Sequence, residues 1–350
     1  MRIVTNPHRG KGLDHPALAA LPWPAHDASR ALALIARCPR AGATPLTAAP
    51  ELAAQAGVGA LWIKDESARM GLGSFKALGA AHVIARDAEA GRAAGRIYVA
   101  ATAGNHGLSV AAGAAAFGAT ARIFIAETVP ESFAERLREL GAEVVRAGAV
   151  YEESLEAAME AAKAPGAELL SDTSWDAYVE RPHVLMEGYL IFMAEIGGQI
   201  DRPPTHIFLQ AGVGGLACAG AAWARANWGR SAGGDGPIIT VVEPEVAPAL
   251  VASIEAGGPV VTEGPASDMG RLDCKEPSWI ALKGLARDAD HFVTLSEAEA
   301  AAGLARVEAA GFPSSTSGAA GLIALLEAGD RIPGLGPDAR VLAILSEGPA

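Results

Sequence analysis

Along the chain, short runs of Ile, Val and Leu alternate with longer Ala-, Glu- and Arg-rich stretches whose apolar residues recur at helical spacing. The short runs predict strands at Leu61–Lys64, Ile97–Ala101, Ala121–Ala126, Glu143–Arg146, Glu168–Ser171, His206–Gln210, Ile238–Glu243, His291–Leu295 and Val341–Leu345. The longer stretches predict helices near 75–90, 106–117, 131–140, 151–163, 182–197, 214–227, 246–256, 296–310 and 317–328. Ser296 followed by Glu299 is a capping-box signature for one of these starts. Strand–helix alternation implies an α/β fold with mainly parallel sheets and helices on both faces. Uninterrupted apolar strands such as IFIA and IITVV fit sheets buried on both sides. Nine strands are many for one sheet of this kind. The pattern therefore predicts two open twisted domains, 1–93 with 181–350 as the larger and 94–180 as the smaller. Residues 1–50, with prolines at 7, 16, 22, 24, 39 and 45, break the pattern and predict an irregular arm wrapping the body.

Composition narrows the function classes. Of 350 residues half are hydrophobic and 19% are charged, which excludes disorder and is enough for a large core. The net charge of −12, without a long basic run, argues against nucleic acid or an anionic membrane surface as partner. The most apolar stretch, Ile207–Ala224, approaches the length of a membrane span. It contains Gln210 and glycines at 212, 214, 215 and 220, and reads better as a strand turning into a buried helix. The N-terminal residues MRIVTNPHRGKG lack the apolar region of a signal peptide. Cys38, Cys218 and Cys274 are scattered and form no CxxC pair. Both features lead to the expectation of a reduced, cytoplasmic compartment. Eight histidines show neither HxxxH nor HExxH spacing, so no metal site is expected, and no GxSxG elbow occurs.

Three segments carry candidate chemistry. After the predicted 206–210 strand comes Gly212-Val213-Gly214-Gly215-Leu216, opening a helix. Glycines let backbone N–H groups converge at a helix N-terminus, a cradle for phosphate; a tight turn needing Gly only for packing has the same sequence. Gly212-x-Gly214-x-x-Ala217 also approximates a dinucleotide fingerprint, but it lies past mid-chain and the next strand-end acid, Glu243, comes some 30 residues later. Earlier, Ser74-Phe75-Lys76 follows Gly71-Leu72-Gly73, with Ser74 placed to cap a helix. Lys76 in the first turn, partly buried beside Phe75, would have a lowered pKa suited to Schiff-base chemistry; a snorkelling surface lysine fits the local sequence as well. Thr102-Ala103-Gly104-Asn105-His106-Gly107 follows a strand, and Asn105 there serves either a turn or a ligand-facing amide.

In this order and spacing, the SFK lysine, the GNHG loop, the GVGGL turn and the late Ser346-Glu347-Gly348 resemble the fold-type II pyridoxal-phosphate enzymes, the tryptophan synthase β-like family. They span most of the chain. Asn6-Pro7-His8, Lys64-Asp65-Glu66-Ser67, Ser171-Asp172-Thr173-Ser174-Trp175, Met186-Glu187-Gly188-Tyr189 and Cys274-Lys275-Glu276-Pro277 look most like its diaminopropionate ammonia-lyase branch. The resemblance implies a pyridoxal 5′-phosphate cofactor in a cleft between the two domains, with Lys76 as the Schiff-base lysine. It assigns Asn105 to the cofactor's ring oxygen, Gly212, Val213, Gly214, Gly215 and Leu216 to the phosphate, and Ser346 to the pyridine nitrogen. A neutral hydroxyl at that nitrogen makes a weaker electron sink, which suits β-elimination over transamination. Asp172 matches a carboxylate near the substrate, as base or as partner of a cationic β-ammonium group. Thr102, Ala103, Gly104 and His106 would face the substrate carboxylate. A homodimer is implied as well.

The chain departs from the branch at two places. Ala103 stands where an Asp resembling a second base for D-substrates is usual, which points to L-amino acids. Lys275 replaces a usual Gly and adds a cation able to pair with an acidic substrate group. The chain is also shorter than most members, and the β-substituent stays open. A serine/threonine dehydratase is the near alternative. A nicotinamide oxidoreductase or a catalytically inactive binding module are the alternatives of other classes.

Overall fold

The computed structural model describes residues 1–102, 104–229 and 236–349. Its strands are β1 (Arg2–Thr5), β2 (Leu46–Ala48), β3 (Ala60–Asp65), β4 (Ile97–Ala101), β5 (Thr120–Ile125), β6 (Glu143–Arg146), β7 (Ala167–Leu169), β8 (His206–Gln210), β9 (Ile238–Pro244), β10 (His291–Leu295) and β11 (Arg340–Leu345). They form two sheets, one of seven strands in the order β1-β10-β9-β8-β11-β3-β2 and one of four in the order β6-β5-β4-β7. The smaller sheet is wholly parallel. The larger is parallel across its centre, and only its edge strands β1 and β2 run antiparallel.

The edges are where the N-terminal reading fails. Residues 1–50 are not an irregular arm throughout: they supply both antiparallel edge strands and the helices Pro16–Ala19 and Ser29–Ile35. An edge strand packs on one neighbour only, so four and three residues suffice, too few for an alternation to register in sequence. Asn6 anchors this region by donating to the carbonyls of Ala286 (2.9 Å) and Ala289 (2.7 Å).

Burial on both sheet faces follows from the apolar runs. Along β8, Ile207 and Leu209 enter one hydrophobic core and Phe208 the other. The helix Trp279–Asp288 was not predicted, although Lys283 and Arg287 stand one turn apart among its apolar residues; eight of its ten residues are buried. Its Gly284 gives room for close packing, because a Cβ there would lie 2.5 Å from Cys218 Sγ.

The helix Glu180–Gln199 packs against Gly79–Glu89 and Gly215–Trp228 and so ties the segments around Lys76 and the glycine turn together. Contact is close at Gly188, where a Cβ would lie 2.3 Å from the Leu78 carbonyl oxygen. Among the described residues no helix is long and apolar enough to cross a membrane.

Candidate active site

The candidate residues come from loops that leave parallel strands at their carboxyl ends, the general place for sites in open α/β sheets. Lys76 follows β3, Asn105 follows β4, Asp172 follows β7, the glycine turn follows β8 and Ser346 follows β11. Both sheets therefore contribute.

Lys76 lies in a 3-10 turn, Phe75–Leu78, which leads into the helix Gly79–Glu89. Ser74 is extended and makes no capping hydrogen bond; its buried hydroxyl has no partner among the described residues. The Lys76 ammonium donates to the Asp172 carboxylate, and the two side chains are 22% and 19% exposed. The expectation of a lowered lysine pKa fails for this reason. Burial alone would lower it, but the adjacent Asp172 charge outweighs burial and raises it. Conversely, burial would raise the Asp172 carboxyl, and the Lys76 charge holds it well below the usual carboxylate range.

Asp172 is held by the fold of its loop. Ser174 and Ser278 share a hydroxyl–hydroxyl hydrogen bond of 2.7 Å, and the amides of Trp279 and Ile280 donate to Ser174 O and Oγ. The DTSW segment thereby docks on the start of the helix Trp279–Asp288.

At the glycine turn, Gly214 has φ +97° and caps the helix Gly215–Trp228 without any side-chain hydrogen bond. The first-turn amides carry the helix's partial positive charge with no side chain competing for them. A Cβ at Gly212 would lie 2.9 Å from Cys274 Sγ, and one at Gly214 3.0 Å from Ala281 Cβ. Glycine is required at both positions, and the bare backbone fits a phosphate group. Cys274 is pushed up to about 12 by burial, so it is a neutral wall of this turn.

Ser346 Oγ accepts from Gln210 Nε2 at 2.9 Å, so its own proton is free to donate to an acceptor such as a pyridine nitrogen. Asn105 Nδ2 donates to Glu347 Oε2 at 2.5 Å, and Ser315 Oγ donates to Oε1 at 2.5 Å. Glu347 and Ser315 were missed as site residues; Glu347 was visible only as the middle of Ser346-Glu347-Gly348. His106 is buried, with Nε2 2.7 Å from the Leu170 carbonyl. A carbonyl only accepts, so Nε2 carries the proton and the unpartnered Nδ1 is a bare acceptor. Burial lowers its pKa and keeps it neutral.

Other expectations fare differently. The Gly104 amide donates to Thr102 Oγ1 at 3.1 Å, so it is spent within its own loop. The helix Asn105–Ala116 begins directly after, and its first amides remain the anion-facing feature there. Ala103 lies outside the described residues. Lys275 is not brought to Lys76: its ammonium donates to Val246 O and Pro265 O, both at 2.9 Å, and pairs with Asp273 at 2.7 Å. Two carbonyls and the Asp273 charge thus hold its ammonium within its own loop region.

A bare-backbone phosphate cradle, a lysine amine, and a hydroxyl free to donate match the donor set that pyridoxal phosphate needs. The unpartnered polar atoms of Ser74, His106 and Tyr189 all belong to the Lys76 neighbourhood. Comparison with known proteins agrees. Residues 38–347 match the family model described as pyridoxal-phosphate dependent enzyme. The chain is 31% identical over 330 residues to the diaminopropionate ammonia-lyase of Salmonella typhimurium, covering 85% of this chain and 80% of that one. It is 30% identical over 273 residues to the L-threonine ammonia-lyase of Thermotoga maritima, covering 77% and 63%. The crystal structure of Escherichia coli diaminopropionate ammonia lyase with an aminoacrylate–PLP azomethine reaction intermediate superposes with a TM-score of 0.85 at 27% identity, covering 99% of this chain and 93% of that one. The chain belongs to the pyridoxal-phosphate dependent enzyme family and stands among the relatives of diaminopropionate ammonia-lyase.

Proposed function

We propose that this enzyme eliminates ammonia from L-2,3-diaminopropionate, and that hydrolysis of the product by one water yields pyruvate and the second equivalent of ammonia. The observation that carries the reading is the Lys76–Asp172 pair beside a bare-backbone phosphate cradle. The cofactor, when bound, draws electrons from the substrate's α-carbon and so eases loss of its proton. Lys76 holds the cofactor, and the amides of residues 212–216 hold its phosphate. Asp172 is ionised and faces Lys76. While that ammonium neighbours it, the carboxylate is a poor base. Once the lysine nitrogen is neutral, the same carboxylate can take a proton or pair with the cationic β-ammonium group. The first amides of the helix Asn105–Ala116 suit the substrate carboxylate, while neutral His106 offers there only an acceptor nitrogen.

The sequence departure at Ala103 supports a preference for the L-form. Elimination of water from serine or threonine is the second reading, favoured by the likeness to L-threonine ammonia-lyase. The division into 1–93 with 181–350 and 94–180 is part of the proposal, supported by the four-stranded sheet falling within residues 97–169. A cytoplasmic homodimer is proposed on the family resemblance and the scattered cysteines; sedimentation of the holoenzyme tests the dimer.

Purified protein should be yellow, bleach with borohydride, and carry the reduced cofactor on the Lys76 peptide; Lys76→Ala should lack the visible band. A colourless protein that gains no absorption from added cofactor overturns the reading. Pyruvate formation from L- and D-diaminopropionate, L-serine and L-threonine then ranks the substrates. Comparable rates on the D-form sink the L-preference.

A further inference from the structure

Tyr189 is buried at 1% exposure, and its hydroxyl makes no well-formed hydrogen bond among the described residues. Its ring is wedged between two glycines. A Cβ on Gly79, which opens the helix after Lys76, would lie 2.7 Å from Tyr189 Cε1. A Cβ on Gly215, which opens the helix after the phosphate turn, would lie 3.4 Å from Cε2. The Tyr189 ring also packs on Phe75, with centroids 4.8 Å apart, and the Lys76 nitrogen sits 5.4 Å from that same Phe75 ring.

Phenylalanine would fill this slot as well, so packing does not ask for the oxygen. A buried hydroxyl without a partner is disfavoured. The groups available to it in the site are the Lys76 nitrogen and whatever is bound at the turn. The charges of Lys76 and Asp172 both act on the phenol, and burial holds it protonated. Asp172 approaches Lys76 from the smaller sheet, whereas Tyr189 rises from the helix Glu180–Gln199.

We propose that Tyr189 is a positioning residue: its hydroxyl oxygen accepts a hydrogen bond from the Lys76 nitrogen and fixes that nitrogen opposite Asp172. The proposal rests on the reading of Lys76 given above. Because the oxygen accepts, it favours the protonated lysine nitrogen.

The test is Tyr189→Phe in the holoenzyme, following the pH dependence of the visible band together with kcat, KM and cofactor dissociation. The midpoint should fall by about half a pH unit or more, and kcat should fall about tenfold, with KM within about twofold of wild type. An unmoved midpoint and unchanged kcat make Tyr189 a filler and overturn the proposal. Faster cofactor loss with an unmoved midpoint puts the hydroxyl on the phosphate and also overturns it. A wild-type holoenzyme without the band overturns the reading of Lys76 itself, and this proposal with it.

Discussion

Replacing Asp172 by Asn keeps the volume and removes the charge that sets the Lys76 equilibrium. In the wild type two effects oppose each other at Lys76: burial disfavours the ammonium, and Asp172 favours it and wins. In the Asp172→Asn variant burial loses its main opponent, so the lysine pKa must fall. A unit charge pair about 4 Å apart at an effective dielectric of 20 is worth about 4 kcal/mol. The side chains are 22% and 19% exposed, so solvent screening reduces this to roughly 2 kcal/mol, a fall of roughly 1.5 pH units. The assay is recombination of apoenzyme with pyridoxal phosphate, followed by visible absorption across pH. Schiff-base formation needs the neutral amine, so the rate should rise with a lower midpoint in Asp172→Asn and be faster near neutrality. The same variant should lose turnover of L-diaminopropionate by roughly 10²- to 10⁴-fold, the range for removal of a general base. A recombination midpoint that stays put or moves up would refute the electrostatic argument, because among the described residues Asp172 is the carboxylate whose charge acts on Lys76.

Gly214→Ala combines a left-handed backbone, φ +97°, with a Cβ 3.0 Å from Ala281. It should cost about 1–2 kcal/mol of stability and weaken cofactor binding about tenfold or more, read by melting and equilibrium dialysis; unchanged affinity would remove the turn from the phosphate site. Glu243 is fully buried, and burial pushes its carboxyl from 4.5 up to about 8 although the amides of Leu250 and Val251 donate to it. The folded state binds this proton more tightly than the unfolded chain. Its stabilisation is therefore full below about pH 4.5 and is lost, on the order of a few kcal/mol, as pH rises through about 8. Glu243→Gln should flatten the fall in melting temperature over that window, and an unaltered slope would show the titrating group to be another.

What the chain made legible depended on whether its signals were local. The turn after β8 was readable because its glycines, strand and helix are contiguous. The Ser296–Glu299 capping box was readable for the same reason, and both of its hydrogen bonds are present. All nine predicted strands occur with bounds within two residues, most of them as buried apolar runs. The edge strands β1 and β2 are too short to carry a period and were missed, as was the nearly all-buried helix Trp279–Asp288. In the site, residue types were legible and pairings were not. Lys76 and Asp172 are 96 residues apart, and Asn105 and Glu347 are 242 apart. No local pattern encodes that a lysine read as neutral meets a carboxylate, or that Lys275 is spent on two carbonyls and Asp273.

One buried network explains why Lys76 is held where both sheets can reach it. Arg69, 1% exposed, binds Glu66 through Nε at 2.8 Å and Glu195 through Nη1 at 2.7 Å. Lys64, at the end of β3, donates to the same Glu195 at 2.7 Å and to Thr44 O at 2.8 Å. Two cations and two carboxylates thus join β3, the approach to Lys76 and the helix Glu180–Gln199. Such pairs cost desolvation that an apolar cluster of equal volume would avoid, so stability alone does not account for them. An apolar cluster, however, tolerates sliding, whereas a bidentate guanidinium fixes direction. The chain reverses at once beyond Arg69, with Met70 in the left-handed region at φ 52°, and Lys76 follows six residues later. Removing Arg69 alone would leave the buried Glu66 carboxylate without its cation, at about 3–5 kcal/mol for a broken buried pair, and leave Glu195 to Lys64. It would also free the segment whose position sets the Lys76–Asp172 contact. The network therefore acts through placement: it anchors the lysine's approach to the helix that carries Tyr189, and Asp172 is brought to that fixed point from the other sheet.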